Sequence, residues 1–165
     1  MVLEEHSGLL RVGERAPNAL GRLSKGETIA LADYIGKRNV VLFFYPKDFT
    51  PGCTKQVCSY RDNYARLLGM DAVVFGISYD DERSHDLFAQ RYGLPFPLIS
   101  DTTGDFARAY GVTRFGGSVL PAKRVTYVID KEGIVRSVSH YEVFIERHVE
   151  KALETLKRLA VETKI

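Results

Sequence analysis

Several features that would point to a particular class of protein are missing from this sequence. Two cysteines among 165 residues are too few for a disulfide-stapled scaffold, and the chain is long enough to fold without one. The 23 basic and 21 acidic residues nearly cancel, so neither nucleic acid nor an anionic membrane is an expected partner. No apolar run approaches the roughly 20 residues of a membrane-spanning helix. The charged N-terminus does not resemble a secretory signal. We therefore expect a soluble cytoplasmic protein.

Repeats, low-complexity stretches and linker-like segments are also lacking. Apolar residues make up 45% of the chain and charged residues 27%, which is an ordinary globular balance. We expect residues 1–165 to form one domain. Residues 1–15 carry little information and are expected to form a loosely ordered N-terminal arm.

Apolar runs of strand length alternate with helical patterns. Residues 40–45 and 72–78 are rich in β-branched and aromatic side chains and predict buried strands. Residues 125–129 and 134–138, separated by a turn, predict a hairpin. A short strand is expected at residues 98–100. The N-terminal residues are expected to form an extra hairpin or arm around residues 28–31.

Four helices are expected between and after these strands, at residues 51–68, 81–92, 103–110 and 145–161. The first three stop at Gly69, Gly93 and Gly111, which fits a left-handed C-terminal cap. The last has one apolar stripe between charged residues, typical of a packed amphipathic helix. The order predicts a three-layer α/β fold with a mixed central sheet and flanking helices.

Cys53 follows the first predicted strand and a Thr-Pro-Gly sequence. Thr50 is a favoured N-cap and Pro51 suits the first helical position, so a helix should begin there. Cys53 is then the third helical residue, where free N–H groups and the helix dipole favour thiolate over thiol. Open α/β sheets place reactive groups at the carboxyl ends of their strands. We interpret Cys53 as a reactive cysteine, and a small buried hydrophobic residue is the alternative.

Cys58 lies five residues further along the same predicted helix. Five helical residues rise about 7.5 Å, which puts the two Cα atoms roughly 9 Å apart. That separation exceeds the ~7 Å limit for a disulfide, so the first turns would have to unwind before the cysteines could bond. The alternative is that Cys58 is simply a packed helix residue.

The segment around Cys53 resembles the active site of the peroxiredoxins. Pro46, Thr50 and Cys53 match the motif Pro-x-x-x-Thr/Ser-x-x-Cys. The longer string YPKDFTPGCTKQVCSYRDNY, which includes Cys58, is similar to the PrxQ group, also called bacterioferritin comigratory protein. A second string, PAKRVTYVID, contains Arg124 and resembles the strand whose arginine reaches the active site. The resemblance covers most of the chain.

This resemblance implies a thioredoxin-like fold and a thiol peroxidase. Cys53 would be the peroxidatic nucleophile, and Cys58 would resolve its sulfenic acid as an intramolecular disulfide. Thr50 and Arg124 would bond the thiolate and the peroxide, and Pro46 would shield the pocket. The substrate would be hydrogen peroxide or an organic hydroperoxide, and thioredoxin or a similar dithiol protein would reduce the disulfide. We expect a monomer, with a weak dimer as the alternative.

Other chemical signals in the sequence are weak. The four histidines show no zinc-ligand spacing to the cysteines and are interpreted as surface residues: His6, His85, His140 and His148. Gly116 and Gly117 belong to no dinucleotide-binding pattern. We therefore expect neither a bound cofactor nor a metal.

Several residues near the motif have two readings. The acidic segment 80–82 is expected to begin a helix, where it favours the dipole. Arg61 and Asp62 are expected to form an ion pair on a solvated face, although Arg61 lies close enough to Cys58 to support the site. Three aromatic side chains are candidates to line an apolar entrance: Phe49, Phe115 and Tyr45. For Tyr45, core packing is the preferred role.

Two other functions compete with the peroxidase. A disulfide oxidoreductase of thioredoxin type is disfavoured because the cysteines lack Cys-x-x-Cys spacing. A non-enzymatic binding module or holdase on a thioredoxin-like scaffold predicts that a Cys53→Ser variant keeps full activity. The peroxidase predicts that this variant loses several orders of magnitude of activity.

Overall fold

A computed structural model describes residues 8–114 and 121–163 of the chain. Its seven strands are β1 (Leu20–Arg22), β2 (Thr28–Ala30), β3 (Asn39–Phe44), β4 (Ala72–Ser78), β5 (Leu98–Ser100), β6 (Val125–Ile129) and β7 (Val135–His140). Its α-helices are α1 (Pro51–Asp62), α2 (Tyr64–Gly69), α3 (Glu82–Tyr92), α4 (Asp105–Ala109) and α5 (Glu146–Thr163). Among these residues, no helix is long and apolar enough to cross a membrane.

The strands form one mixed sheet in the order β2-β1-β5-β4-β3-β6-β7. The central strands β3, β4 and β5 are parallel, and the hairpin of β6 and β7 adds antiparallel strands beside β3. All six residues of β3 are buried, as a fully apolar strand covered on both faces requires. The predicted parallel pair and both predicted hairpins are confirmed.

Two hydrophobic clusters lie on opposite faces of the sheet. Alternate residues of β3 point to opposite sides, so that Leu42 and Phe44 join one cluster and Val41 and Phe43 the other. The first cluster is completed by α4 and the N-terminal segment, and the second by the other helices. The apolar stripe of α5 packs in the second cluster, as predicted. The three-layer α/β architecture is therefore confirmed.

The predicted helix over residues 51–68 is wrong in one respect, because it breaks at Asn63. The side-chain Nδ2 of Asn63 donates a 2.9 Å hydrogen bond to the carbonyl of Ser59, which competes with continued helical bonding. Helix α2 then ends at Gly69 without a left-handed cap, and Asp71 takes the positive φ of 60° instead. Gly93 and Gly111 have the expected left-handed conformation.

The N-terminal segment from residue 8 lies against the sheet. Leu10 is buried in the core, and its N–H donates to the hydroxyl of Tyr127. The N–H of Gly13 donates to the carbonyl of Val135, and Arg15 forms a β-bridge with Ile134. Residues 1–7 of the expected N-terminal arm lie outside the described residues.

Candidate active site

The site is built where β3 passes into α1. Thr50 has an extended backbone at the N-cap and Pro51 is the first residue of α1, so the predicted helix start is confirmed. Cys53 is the third helical residue and is fully buried. Its sulfur lies at the end of the helix where free N–H groups and the positive end of the dipole are found.

Arg124 enters the site from the residue before β6. Its Nη1 lies 3.3 Å from Cys53 Sγ and donates a 2.7 Å hydrogen bond to Gln56 Oε1. Arg124 is only 6% exposed, and among the described residues no carboxylate pairs with its guanidinium. A buried cation is costly without a counter-charge, and the Cys53 sulfur lies beside this one.

Two residues that the sequence reasoning missed complete this contact. Gln56 is one turn after Cys53 on the same helical face and is fully buried. Gly52 lies against the guanidinium, because a Cβ built at that position would be 3.0 Å from Arg124 Nη2. The i,i+3 spacing of Cys53 and Gln56 was a usable signal, whereas nothing in the sequence indicated the role of Gly52.

Thr50 does not make the expected bond to the sulfur. Its hydroxyl donates instead to the carbonyl of Lys47, at 2.8 Å. A hydroxyl that donates its proton in this way keeps its lone pairs as acceptors for an incoming O–H. Pro46 is half-buried at the start of the same loop, directly after β3 and Tyr45.

Cys58 lies on the same unbroken helix as Cys53, and both thiols are free. The structure therefore does not bring the two sulfurs together. The predicted ion pair of Arg61 and Asp62 is present, with Nε and Oδ1 3.0 Å apart. The hydrogen bond to Asp62 raises the pKa of Arg61. Arg61 Nη1 also donates to the carbonyl of Tyr92.

The interpretation of all four histidines as surface residues is wrong for two of them. His148 is buried, and its Nε2 donates to the carbonyl of Tyr141 at 2.8 Å. Its Nδ1 therefore accepts from the hydroxyl of Thr126, which in turn accepts from Tyr60. Burial lowers the pKa of His148 to about 4, so the ring is neutral at pH 7. This chain of hydrogen bonds ties α1 and α5 to the strand that follows Arg124.

His85 is the second buried histidine. It is 3% exposed and lies 2.8 Å from Asp48. Tyr45 is fully buried and also contacts Asp48, so it packs in the core as preferred. Phe49 is half-exposed at the edge of the site. The acidic segment 80–82 begins α3 as predicted, with Asp81 as its N-cap.

Of the residues that the sequence singled out, His140 is described by the structure and several others are not. His140 lies at the end of β7 and is exposed, as expected. Phe115, Gly116, Gly117 and His6 lie outside the described residues.

Comparison with known proteins identifies the family of this chain. The sequence pattern of the AhpC/TSA family matches residues 12–138. Peroxiredoxin Bcp of Bacillus subtilis is 38% identical over 156 residues, which cover 92% of this chain and 98% of the relative. The chain belongs to the AhpC/TSA family. Its relatives in that family include the Bcp and Q peroxiredoxins, which are peroxidases.

Solved structures of related peroxiredoxins share the fold. Peroxidoxin BcpB of Mycobacterium tuberculosis superimposes with a TM-score of 0.85 at 35% identity, covering 90% of this chain and 97% of that one. The bacterioferritin comigratory protein of Xanthomonas campestris gives a TM-score of 0.78 at 32% identity, covering 86% of this chain and 92% of that one. The predicted thioredoxin-like fold is therefore confirmed.

Proposed function

We propose that this peroxiredoxin reduces peroxides through the thiolate of Cys53. The observation that carries the proposal is the 3.3 Å contact between Arg124 Nη1 and Cys53 Sγ at the first turn of α1. A reactive thiolate needs positive charge and hydrogen-bond donors, and the guanidinium and the helix N-terminus supply both.

The thiolate attacks one oxygen of the peroxide in line with the O–O bond. That bond breaks, the second oxygen leaves as hydroxide or alkoxide and takes up a proton, and the sulfur becomes a sulfenic acid. Negative charge moves from sulfur to the leaving oxygen during this step. Arg124 is placed to follow that charge because its planar fork can contact two atoms at once. Thr50, by donating to Lys47, is oriented to accept the O–H of the peroxide.

Cys58 is proposed as the resolving thiol. Its sulfur attacks the sulfenic acid, water leaves, and a disulfide joins Cys53 to Cys58. Because both residues lie on α1, the first turns must unwind for the sulfurs to meet. The break at Asn63 separates these turns from α2, so the unwinding need not pass beyond α1. A dithiol protein of thioredoxin type then reduces the opened disulfide by exchange.

The substrates are proposed to be hydrogen peroxide and organic hydroperoxides. Phe49 is 48% exposed beside Thr50, and Val143 and Phe144 are 78% and 59% exposed. The latter two directly precede Ile145, whose Cδ1 would be 3.9 Å from a Cβ at Gly52. These side chains offer an apolar rim to an organic peroxide. The bacterioferritin comigratory protein of Xanthomonas campestris has alkyl peroxide reduction activity.

Mass analysis after one equivalent of hydrogen peroxide tests the proposal. The wild type should lose two hydrogens and map to an internal disulfide between Cys53 and Cys58. The Cys53→Ser variant should consume no peroxide, whereas a holdase would be unaffected by this change. A thioredoxin-type oxidoreductase would show no peroxide-dependent turnover. Two free thiols in the treated wild type would contradict the proposal.

We propose an antioxidant role on the basis of this chemistry, and we propose the cytoplasm as its location. A monomeric state and the identity of the dithiol reductant also stay predictions. Sedimentation of the reduced and oxidised protein, and turnover with a thioredoxin system, would test them.

A further inference from the structure

Phe49 has a strained backbone directly before Thr50. Its φ is +65°, in the left-handed region that a bulky L residue rarely adopts. Its ring is 48% exposed and packs 5.0 Å from that of Phe88. Such a conformation persists only where the surroundings enforce it. A single contact of a half-exposed ring restrains the backbone of Phe49 only weakly. The neighbouring residue must therefore supply most of the restraint.

Asp48 is the fixed point of this loop. Asp48 is 4% exposed, and its side chain accepts hydrogen bonds from Tyr45 and Ser84 and shares a third with His85. The three distances are 2.6, 2.8 and 2.8 Å. Its backbone N–H donates to Asp80 Oδ2 at 2.8 Å. Residue 48 is thus held through both its side chain and its backbone.

The hydrogen bonds of His85 define the charge state of this cluster. Its Nε2 lies 3.0 Å from the carbonyl of Ile99, which can only accept, so Nε2 carries a hydrogen. Its Nδ1 faces Asp48 Oδ2 at 2.8 Å, and a second hydrogen lies between those two atoms. Asp48 and His85 therefore form a buried pair with no net charge, whichever of them holds the shared proton.

We propose that Asp48 and His85 are positioning residues for the peroxide step, acting through Phe49 and Thr50. The contact with His85 holds Asp48 in place, and the fixed position of Asp48 enforces the left-handed turn at Phe49. That turn lets the Thr50 hydroxyl reach the carbonyl of Lys47 while the Thr50 backbone occupies the N-cap position of α1. Neither Asp48 nor His85 hydrogen-bonds to the sulfur or to Arg124, so the pair orients the acceptor of the peroxide proton without activating the thiolate. This inference rests on the proposed function.

The same side chains invite comparison with a metal site. One ligand atom from each of Asp48, Asp80 and His85 lies within 4.8 Å of the others. Those atoms already bond to one another or to neighbouring donors, and nothing else at the cluster points to a cation. The hydrogen bonds account for the arrangement, so the positioning role is the one proposed.

Asp48→Ala and Asp48→Asn, compared with Asp86→Ala, test the pair. Asp86 is exposed beside His85 on α3 and serves as the matched control. Asp48→Ala should lower the rate of Cys53 oxidation by hydrogen peroxide about 10-fold to 100-fold, in the range of a misplaced catalytic group. Alkylation of Cys53 by iodoacetamide should change less than about 3-fold, because the thiolate keeps its donors. Asp48→Asn should restore most of the peroxide rate, since its amide can still accept from Tyr45 and donate to His85.

Three outcomes would overturn the inference. These are a wild-type peroxide rate in folded Asp48→Ala, an equal fall in peroxide and iodoacetamide rates, and an Asp48→Asn variant as slow as Asp48→Ala. If Asp48→Ala does not fold, Phe49 provides the test. Both Phe49→Asn and Phe49→Val remove the ring, so their difference reports on the backbone. Phe49→Val should have a hydrogen peroxide rate several-fold below that of Phe49→Asn, because a β-branched residue tolerates positive φ less well than asparagine does. Equal rates in those two variants would also overturn it.

A different variant tests the proposed function, so its failure can be told apart from failure of the inference about the pair. It is contradicted if Cys53→Ser retains peroxidase activity. If Cys53 is essential and Asp48→Ala is as fast as the wild type, only the inference about the pair is lost.

Discussion

Gly52 and Arg124 are in contact across the active site. A Cβ at residue 52 would lie 3.0 Å from Arg124 Nη2, which is closer than such atoms normally approach. The missing side chain therefore lets the guanidinium lie over the first turn of α1, where its Nη1 reaches Cys53. Glycine costs helical stability relative to alanine, by roughly 0.5–1 kcal/mol. The geometry explains why glycine stands in a helix at this position.

The first prediction concerns Gly52→Ala. The added methyl group should displace the guanidinium from Cys53 and lower the second-order rate constant with hydrogen peroxide by about 10-fold, because small misplacements near the reacting atoms are costly. Helical propensity favours alanine, so the melting temperature should not fall. Stopped-flow kinetics and thermal unfolding would check both. Gly69→Ala is the control, since a Cβ there meets nothing within 4 Å, and it should leave the rate unchanged.

The second prediction concerns unwinding of α1 during the resolving step. Thr54 lies in the first turns of α1, between the two cysteines. Thr54→Ala should stabilise the helix and Thr54→Gly should destabilise it, with roughly 1 kcal/mol between the two variants. The glycine variant should therefore form the Cys53–Cys58 disulfide about 5-fold faster than the alanine variant.

Rapid quenching and mass analysis would measure this difference. The alanine variant should also accumulate more sulfinic acid at high peroxide, because a longer-lived sulfenic acid has more time for a second oxidation. Equal disulfide rates in the two variants would contradict the need for unwinding.

The third prediction is a pH dependence of stability from His148. Burial lowers its pKa to about 4 in the folded protein, against about 6.5 in an unfolded chain. Between those values the unfolded state binds more protons, so stability falls as pH decreases from about 6.5 towards 4. The contribution at neutral pH is up to about 3 kcal/mol, which is lost at low pH.

Urea unfolding of the wild type and His148→Gln from pH 7 to pH 4 would measure this pH dependence of the free energy of unfolding. Gln keeps a donor towards the carbonyl of Tyr141 but does not titrate, so the variant should show a shallower pH slope. His140→Gln changes an exposed histidine and is the control. A slope in His148→Gln equal to that of the wild type would contradict the assignment.

The fold could be predicted from the sequence because its main signals are local. The strands β3 and β4 are continuous apolar runs, and Thr50 with Pro51 marks the start of α1. The break at Asn63 was missed, because a side chain that bonds to the preceding turn leaves the apolar periodicity unchanged.

The candidate site could be predicted only in part. The approach of Arg124 to Cys53 came from the family resemblance, since 71 residues separate them. The burial of His85 and His148 depends on partners 37 and 22 residues away, Asp48 and Thr126, so no spacing rule reveals it. A polar residue becomes a core residue only when distant groups satisfy its hydrogen bonds.

The most direct test of the account is to locate the sulfenic acid. In Cys58→Ser the first oxidation should proceed at the wild-type rate and stop at residue 53. A sulfenic-acid trap such as dimedone, added after one equivalent of hydrogen peroxide, should label the peptide that contains Cys53 in near-stoichiometric yield. Arg124→Lys in the same background should slow the labelling by about 100-fold or more, because an ammonium cannot reproduce the forked contact. An unlabelled Cys53, with peroxide left unconsumed, would contradict the account.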